Sequence, residues 1–424
     1  MLRKIFKIIA NLRFAIIILL IIGCISILGT IIEQDQNIEI YKSNYPLTNP
    51  LFGFLSWTII LNFGLDHLYK TWWFLSLIFI FGLSLFICTI LQQFPAFKIA
   101  RRSQFFRTIV QFQQLRIYKK LKQIKLSKLF VKLKDKHYSI FQQKNIIYCY
   151  QGLIGRIGPI LVHVSMILIL LGTIFTSLAG FNGQEIVPKT ETFYIQNIFS
   201  NGRLSQFPKL STRINDFWIL YKDQNIVNQF YSNISILNVD GEEIKNRTLF
   251  VNSPIKYRGI DFYQTNWNLI GLRFNLANDK LIQYPLINLN NKSNKIWLTW
   301  ISNRDQLNMG FSILVDNLQG YCSIYNNTGQ FLGNLELNEQ FSSALPYTLI
   351  DIINADGLQI KTDPGIPIIY FGFFLLMLTT IVSYKSYSQI WILKNDSNTI
   401  IGGNTSRAIF EFEFEFFKIL KQTY

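Results

Sequence analysis

The sequence predicts a membrane protein. It has four transmembrane α-helices and a large all-β extramembrane domain, a sandwich or open barrel, inserted between helices three and four. Three observations lead there. The chain is 50% hydrophobic but only 16% charged, well under the ~25% charged residues of soluble domains. Four apolar runs are each long enough to cross a bilayer core, which takes roughly 20 residues. Between the last two runs lies a long segment broken into short, alternating stretches.

The first run is Phe14 to Ile32, the second Trp72 to Leu91, the third Ile157 to Ala179 and the fourth Gly365 to Tyr384. None contains Asp, Glu, Lys or Arg, so each reads as a spanning helix. Leu51 to Leu65 is shorter and carries Asn62, which suits an interfacial or re-entrant segment. No small-x-small cleavage site follows the first run, so it reads as a retained anchor.

Charge gives the orientation. Arg3, Lys4, Lys7 and Arg13 precede the first span without any acid. The loop between spans one and two holds two bases against four acids, whereas Phe94 to Gly155 holds 14 Lys and Arg against Asp135 alone. Basic segments stay on the cytoplasm-like side. Both termini and the basic loop are therefore expected there, with Gly180 to Asp363 on the opposite side. The net charge of +16 sits largely in that loop with no nucleic-acid reader motif beside it, and nucleic acid is not an expected partner.

Within the basic loop, Leu115, Tyr118, Leu121, Leu129 and Leu133 roughly follow helical spacing among Lys and Arg. The expectation is a basic amphipathic helix lying on an anionic lipid surface. The segment from Gly180 to Asp363 reads as strands. "FYSNISILNV", "DGEE" and "IKNRTLFV" form a hairpin with an Asp-Gly turn, and further short strands follow at close intervals. In the tail, Glu and Phe alternate from Phe410 to Phe416, a pattern that suits a strand with one apolar face. The divisions are 1–93 for spans one and two, 94–155 for the basic loop and 156–180 for span three. The β-rich domain takes 181–363, span four 364–385 and the tail 386–424.

His163 is the only ionisable residue in the third run. An imidazole in hydrocarbon costs free energy unless it meets a partner, a cavity or a metal, so His163 is the leading functional candidate, with an interhelical hydrogen bond as the structural alternative. His67 lies just before the second span, where an interfacial position is expected, and His137 lies in the basic loop as a solvated surface residue. Cys24, Cys88, Cys149 and Cys322 are scattered, with no C-x-x-C and no C-x-x-C-H. The chain is therefore neither a thiol redox carrier nor itself a c-type cytochrome.

Several blocks carry a family resemblance: "LGTIIEQ" at Leu28 to Gln34, "GRIGPILVHVSMILILLG" at Gly155 to Gly172, "VNSPIKYRGIDFYQTNW" at Val251 to Trp267, "KTDPGIPIIYFGFFLLMLTTIVSY" at Lys361 to Tyr384, and "GGNTSRA" at Gly402 to Ala408. In this order they resemble the ResB/CcsB family of cytochrome c biogenesis proteins, in its plastid-encoded form. The resemblance implies a multi-pass protein of the plastid thylakoid membrane with its large domain in the lumen. It implies pairing with a CcsA-type membrane protein to deliver haem across the membrane. The haem is then attached to apocytochromes c, namely cytochrome f and a soluble cytochrome c. It places the family's span-three histidine on His163, as an axial ligand to the iron of a haem b held transiently and shared with the partner. The Trp-rich haem-binding motif expected of that partner is absent here, and no nucleophile–base constellation addresses thioether formation. The chain is thus expected to be non-catalytic alone, an accessory subunit of a haem-attachment (synthetase) complex. One histidine among the spans supplies one axial ligand, so the second is expected from another chain. The competing readings are a transporter or a membrane-anchored sensor with a ligand-binding β domain.

Overall fold

The computed structural model describes residues 2–121, 125–207, 210–222, 226–276, 280–290, 295–303, 306–316, 321–342, 345–394 and 398–421. The chain divides into two compact units, 1–177 with 365–424, and 178–364.

Among the described residues four helices are long and apolar enough to span a membrane: Leu12–Ile31, Trp72–Ala100, Ile154–Ala179 and Ile366–Ser383. Three of them differ from the apolar runs read from the sequence by a few residues at their ends, while the second continues nine residues past Leu91. The second is continuous from Trp72 to Ala100 but passes through a π-helical turn at Thr89–Gln93. Such turns recur at functional positions. Asn11 breaks a short leading helix, Leu2–Ile9, from the first span. The second span fastens that break, since Ser84 Oγ donates to Ile9 O (2.6 Å) and Gln92 Nε2 to Ala10 O (2.8 Å). Leu51 to Leu65 does not span. It holds a short helix, Trp57–Phe63, packed into a cluster with Ile32, Tyr41 and Leu68. Gln34 ties this loop to the end of the first span. Its Nε2 donates to Ile32 O and Leu65 O, and its Oε1 accepts from the Leu68 amide.

The third and fourth spans pack through small residues. Gly158, Ser165 and Gly172 recur every seventh residue on one, and Gly365, Gly372 and Thr379 do so on the other. All are buried. A Cβ on Gly172 would come 2.6 Å from Ile369 Cγ1, and one on Gly372 would come 2.7 Å from Ile169 Cγ1. In lipid there is no hydrophobic drive between helices, so close backbone approach of this kind supplies the contact.

The basic loop is not one amphipathic helix. Ile117–Leu121, Ser139–Gln143 and Ile146–Gln151 are strands, and they join Ser388–Lys394 and Thr399–Thr405 from the tail in a five-stranded antiparallel sheet. Leu129 and Leu133 do lie on a helix, Leu126–Asp135, but they face the core of this sheet with Ile147 and Ile392. The apolar stripe expected to lie on lipid is used inside the protein, while Lys128, Lys132 and Lys134 stay exposed.

The tail pattern is also read differently by the structure. Ile409–Lys421 is a helix, not a strand. Phe412, Phe416, Ile419 and Leu420 follow helical spacing and are buried on the sheet, whereas Phe410 and Phe414 are 86% and 73% exposed. Glu and Phe alternation satisfies both periods at once, and tertiary packing decides between them. Gly403 makes that packing possible, because a Cβ there would lie 2.8 Å from Phe412 Cζ.

The second unit is all antiparallel β. A seven-stranded sheet is built on two long partners, Ile260–Leu276 and Leu345–Thr362. One part of this pair packs Phe262, Leu358 and Ile360 against Ile214, Ile234 and Leu249 of a four-stranded sheet. The other part packs Leu272, Phe274 and Leu349 against Trp297, Ile313 and Ile324 of a five-stranded sheet. The expected sandwich is therefore two sandwiches sharing one strand pair. Bulges at Gln264/Asn266 and Leu269/Gly271 mark the passage between them, where an extra residue bends the strand and re-aims its side chains. The predicted hairpin is present as Ile226–Leu237 with Glu243–Phe250, and Gly241 takes φ +86° in its turn. The block from Val251 to Trp267 forms a second hairpin, Ile255–Tyr257 with Ile260–Leu276, and buries Ile255, Ile260 and Phe262.

Candidate intramembrane histidine site

His163 lies within the helix Ile154–Ala179, half-buried, with its Nδ1 2.8 Å from Thr89 Oγ1 in the π turn of the second span. Thr89 has a single hydroxyl proton, and its Oγ1 also lies 2.7 Å from Leu85 O. The i−4 carbonyl takes that proton, as is common for helical Thr. Thr89 then accepts from His163 Nδ1–H. This sets the tautomer that leaves the lone pair on Nε2, and among the described residues Nε2 has no hydrogen-bond partner. A ring fixed through one nitrogen and open at the other is the arrangement that metal-binding imidazoles use.

One turn further along the third span a groove of about 170 Å³ opens between spans two and three, walled by Phe79, Leu83, Phe86, Ile167, Leu170 and Leu171. His163, Ile167, Leu170 and Ile174 occupy one face of their helix by spacing, opposite the small-residue face that meets the fourth span.

The other predicted positions are not brought here. His67 sits in the turn Leu65–Lys70 with its Nδ1 2.9 Å from Asp66 Oδ2. The helix from Trp72 to Thr89 puts about 25 Å of rise between its level and that of His163, so the two do not share one iron. His137 is exposed at φ +61°, just past the helix Leu126–Asp135. Sequence reasoning missed Thr89. The only signal was a hydroxyl residue near the inner end of an apolar run, which is common in spans. The same helical face carries Arg156 seven residues before His163, and its Cζ lies 5.2 Å from the Tyr387 ring centroid. Among the described residues no group of three or more His, Cys, Asp and Glu could hold a bare metal ion.

Other polar features lie in the second unit. An open pocket of about 450 Å³ borders Phe217, Trp218, Leu220 and Asp351, but Asp351 is paired with Arg273 at 3.7 Å. Asp356 is fully buried beside the bulges, accepting from Ser232 Oγ (2.5 Å) and Gln264 Nε2 (3.1 Å). Burial raises its carboxyl to about 6. Cys149 in the first unit and Cys322 in the second are buried free thiols pushed up to about 12 by desolvation, which makes them poor nucleophiles.

These features define a class: a multi-span membrane protein with an oriented intramembrane imidazole and a large β-rich extramembrane unit. The chain belongs to the ResB-like family, whose model matches residues 12–330 and 317–417. It is 62% identical to the cytochrome c biogenesis protein Ccs1 of Thalassiosira pseudonana, over 99% of this chain and 100% of that one. It is 61% identical to Ccs1 of Phaeodactylum tricornutum over the same shares. The cytochrome c biogenesis protein CcsB of Crocosphaera subtropica is 43% identical, over 99% of this chain and 94% of its own length. Among solved structures, the cytochrome c haem lyase CcmF aligns with 55% of this chain and 25% of its own, at 9% identity and a TM-score of 0.22. That likeness is too slight to carry an argument.

Proposed function

We propose that this chain is a membrane subunit of c-type cytochrome biogenesis and that it holds haem in transit at His163. Full-length relatives named for cytochrome c biogenesis support the process. The observation that carries the site is the Thr89–His163 hydrogen bond, which leaves Nε2 free on the helical face that one turn further along lines an apolar groove. His163 would be the residue of this chain that holds haem, whose iron would take its neutral imidazole. Thr89 orients the ring, and the groove wall keeps water from the ligand's apolar flank. A further ligand would come from a CcsA-type partner, since His67 lies too far from His163. Haem b would be shared transiently with that partner and delivered to apocytochromes c, with this chain as an accessory subunit of the attachment complex. The charge asymmetry and the relatives support a plastid thylakoid setting, with 178–364 lumenal and the basic sheet on the stromal side. The exposed lysines of the helix Leu126–Asp135 suit contact with anionic headgroups.

The test is His163→Ala in the full complex. Bound haem and holocytochrome c should fall while insertion is retained, and added imidazole should restore part of the haem by filling the vacant coordination position. His67→Ala and His137→Ala should leave haem content unchanged. Full haem occupancy with an unaltered spectrum in His163→Ala would leave only the structural hydrogen bond.

A further inference from the structure

In the second unit two strands run out of neighbours at the same place. Ser211–Lys222 pairs with Ile226–Leu237 along one edge. Its other edge is covered by Thr192–Tyr194 only up to Arg213, then by bonds between Ile214 and the backbone of Thr190 and Glu191. Beyond Ile214 no strand lies along that edge among the described residues. Leu345–Thr362 has a similar gap. One edge pairs with Ile260–Leu276. On the other, Phe181–Pro188 covers 355–362 and Gln340–Ser342 covers 345–348, with Leu349 bonded to Asn338 and Glu339. Residues 350–353 meet no strand there among the described residues. The connection from Lys189 to Glu191 is the last backbone to touch both edges, since Lys189 N donates to Asn354 O (3.1 Å) and Thr190 N to Ile214 O (2.8 Å). Past it lies the open pocket of about 450 Å³, lined by the consecutive residues 217–221 of one strand and by Asp351 and Ile352 of the other. Side chains alternate between the faces of a strand, so an unbroken run of lining residues means that the backbone edge itself borders the pocket. The Phe217 amide there donates to the Asp216 side chain (Oδ1, 2.9 Å), which stands in for a strand.

An open edge offers a row of N–H and C=O groups at steps of about 3.4 Å, and the chemistry that matches such a row is another backbone. Residues 217–221 present about 14 Å of it, enough for a segment of about four or five extended residues. Trp218 and Leu220 are exposed on one face of this edge, with Trp218 stacked on Tyr231 at 5.5 Å, while Phe217 is buried on the other. We propose that this slot takes up an extended segment of another polypeptide as an added strand along 217–221. Alternate side chains of the segment rest on the Trp218 shelf. The segment is one without sheet neighbours of its own, because a pocket of this volume bordered by two strands holds one strand and not the edge of a folded sheet. Main-chain bonds supply the affinity and tolerate many sequences, so the unit holds polypeptide that has yet to fold. The proposal is independent of haem at His163.

The full chain in detergent is titrated with a fluorescein-labelled peptide of about six residues alternating Val and Thr, which favour strands. Its twin is N-methylated at every internal amide, which keeps the side chains and blocks backbone pairing. The unmodified peptide should bind more tightly by about tenfold or more, the effect of two or three backbone hydrogen bonds. Ile219→Pro removes the amide two residues beyond that of Phe217, on the same open edge, and should weaken the unmodified peptide by about tenfold. An unchanged thermal midpoint shows that this variant is folded. If it is not, Leu220→Lys, a charge on the edge, takes its place. A photoreactive benzoylphenylalanine in the peptide should cross-link within 217–221 or 350–354. Equal affinity for the two twins, no saturable binding up to about 1 mM, or cross-links confined to other segments would each overturn the proposal. So would a dimer of the full chain that Ile219→Pro dissolves and the peptide does not, because the slot would then belong to a second copy.

Discussion

Gly172 in the third span and Gly365 at the head of the fourth meet backbone to backbone, leaving no space for a Cβ on Gly365. Gly365→Ala must therefore push the two spans apart, at a cost of about 1–3 kcal/mol for overpacking. Gly23 lies inside the helix Leu12–Ile31, yet nothing lies within 4 Å of its would-be Cβ. Gly23→Ala should be neutral or slightly stabilising. Thermal unfolding of both variants in detergent measures the contrast, and equal melting temperatures would refute the tight pair.

The Thr89 hydroxyl gives a second expectation. Thr89→Val keeps the shape of the side chain but removes the acceptor for His163 Nδ1–H. Haem affinity should fall by about tenfold, the lower end of what outer-shell partners of metal ligands contribute. Thr89→Ser should retain binding. Retention of wild-type affinity by the valine variant would show that the ring does not need this bond.

The tail separates helix from strand at single residues. A strand would put Phe412 and Phe414 on one face and bury both. In the helix Phe412 is 5% exposed and Phe414 is 73% exposed. Phe412→Ala should cost about 3–5 kcal/mol, and Phe414→Ala should stay within about 0.5 kcal/mol. Limited proteolysis of 101–151 in each variant reads the difference. Equal protection would return the tail to a strand.

Asp356 makes the second unit sensitive to pH. Its folded value of about 6 lies above the ordinary 3.8, because desolvation outweighs the bonds from Ser232 and Gln264. The folded state thus holds the proton more tightly than the unfolded chain. The contribution is fully present below pH 3.8 and is lost as pH rises through about 6. Its size is on the order of 3 kcal/mol. Asp356→Asn should flatten that slope and raise the midpoint at pH 8. Urea melts of 178–364 at pH 4.5 and pH 8 provide the check, and a slope unchanged by the substitution would acquit Asp356.

Much of this molecule could be read from local sequence, and the unread parts share a cause. The spans follow from uninterrupted apolar length, and the Asp240–Gly241 hairpin from turn chemistry. His163 stood out because hydrocarbon makes any ionisable residue conspicuous. The sheet of the first unit did not stand out, because Ile146–Gln151 pairs with Ser388–Lys394, and a local pattern holds no trace of so distant a partner. Leu129 and Leu133 looked like a lipid-facing stripe for the same reason, since periodicity reports that a face is apolar but not what covers it. The bulged strand pair that joins two sandwiches was hidden too, because a bulge shifts alternation by one residue and resembles the end of a strand. Thr89 matters through a contact made across two helices.

That distant pairing also sets a timetable. Ser388–Lys394 and Thr399–Thr405 lie between Ile117–Leu121 and Ile146–Gln151 in the sheet, yet a ribosome makes them last. At about 5–20 residues per second, the early strands wait on the order of tens of seconds, while the third span, the entire second unit and the fourth span are synthesised. During that interval Leu129, Leu133 and Ile147 lack Ile390, Ile392 and Ile401 of the core they share in the folded chain. The sheet closes only after the fourth span and the strand Thr399–Thr405 have emerged. A chain stalled or cut short before residue 388 leaves this basic, apolar segment open to chaperones and proteases.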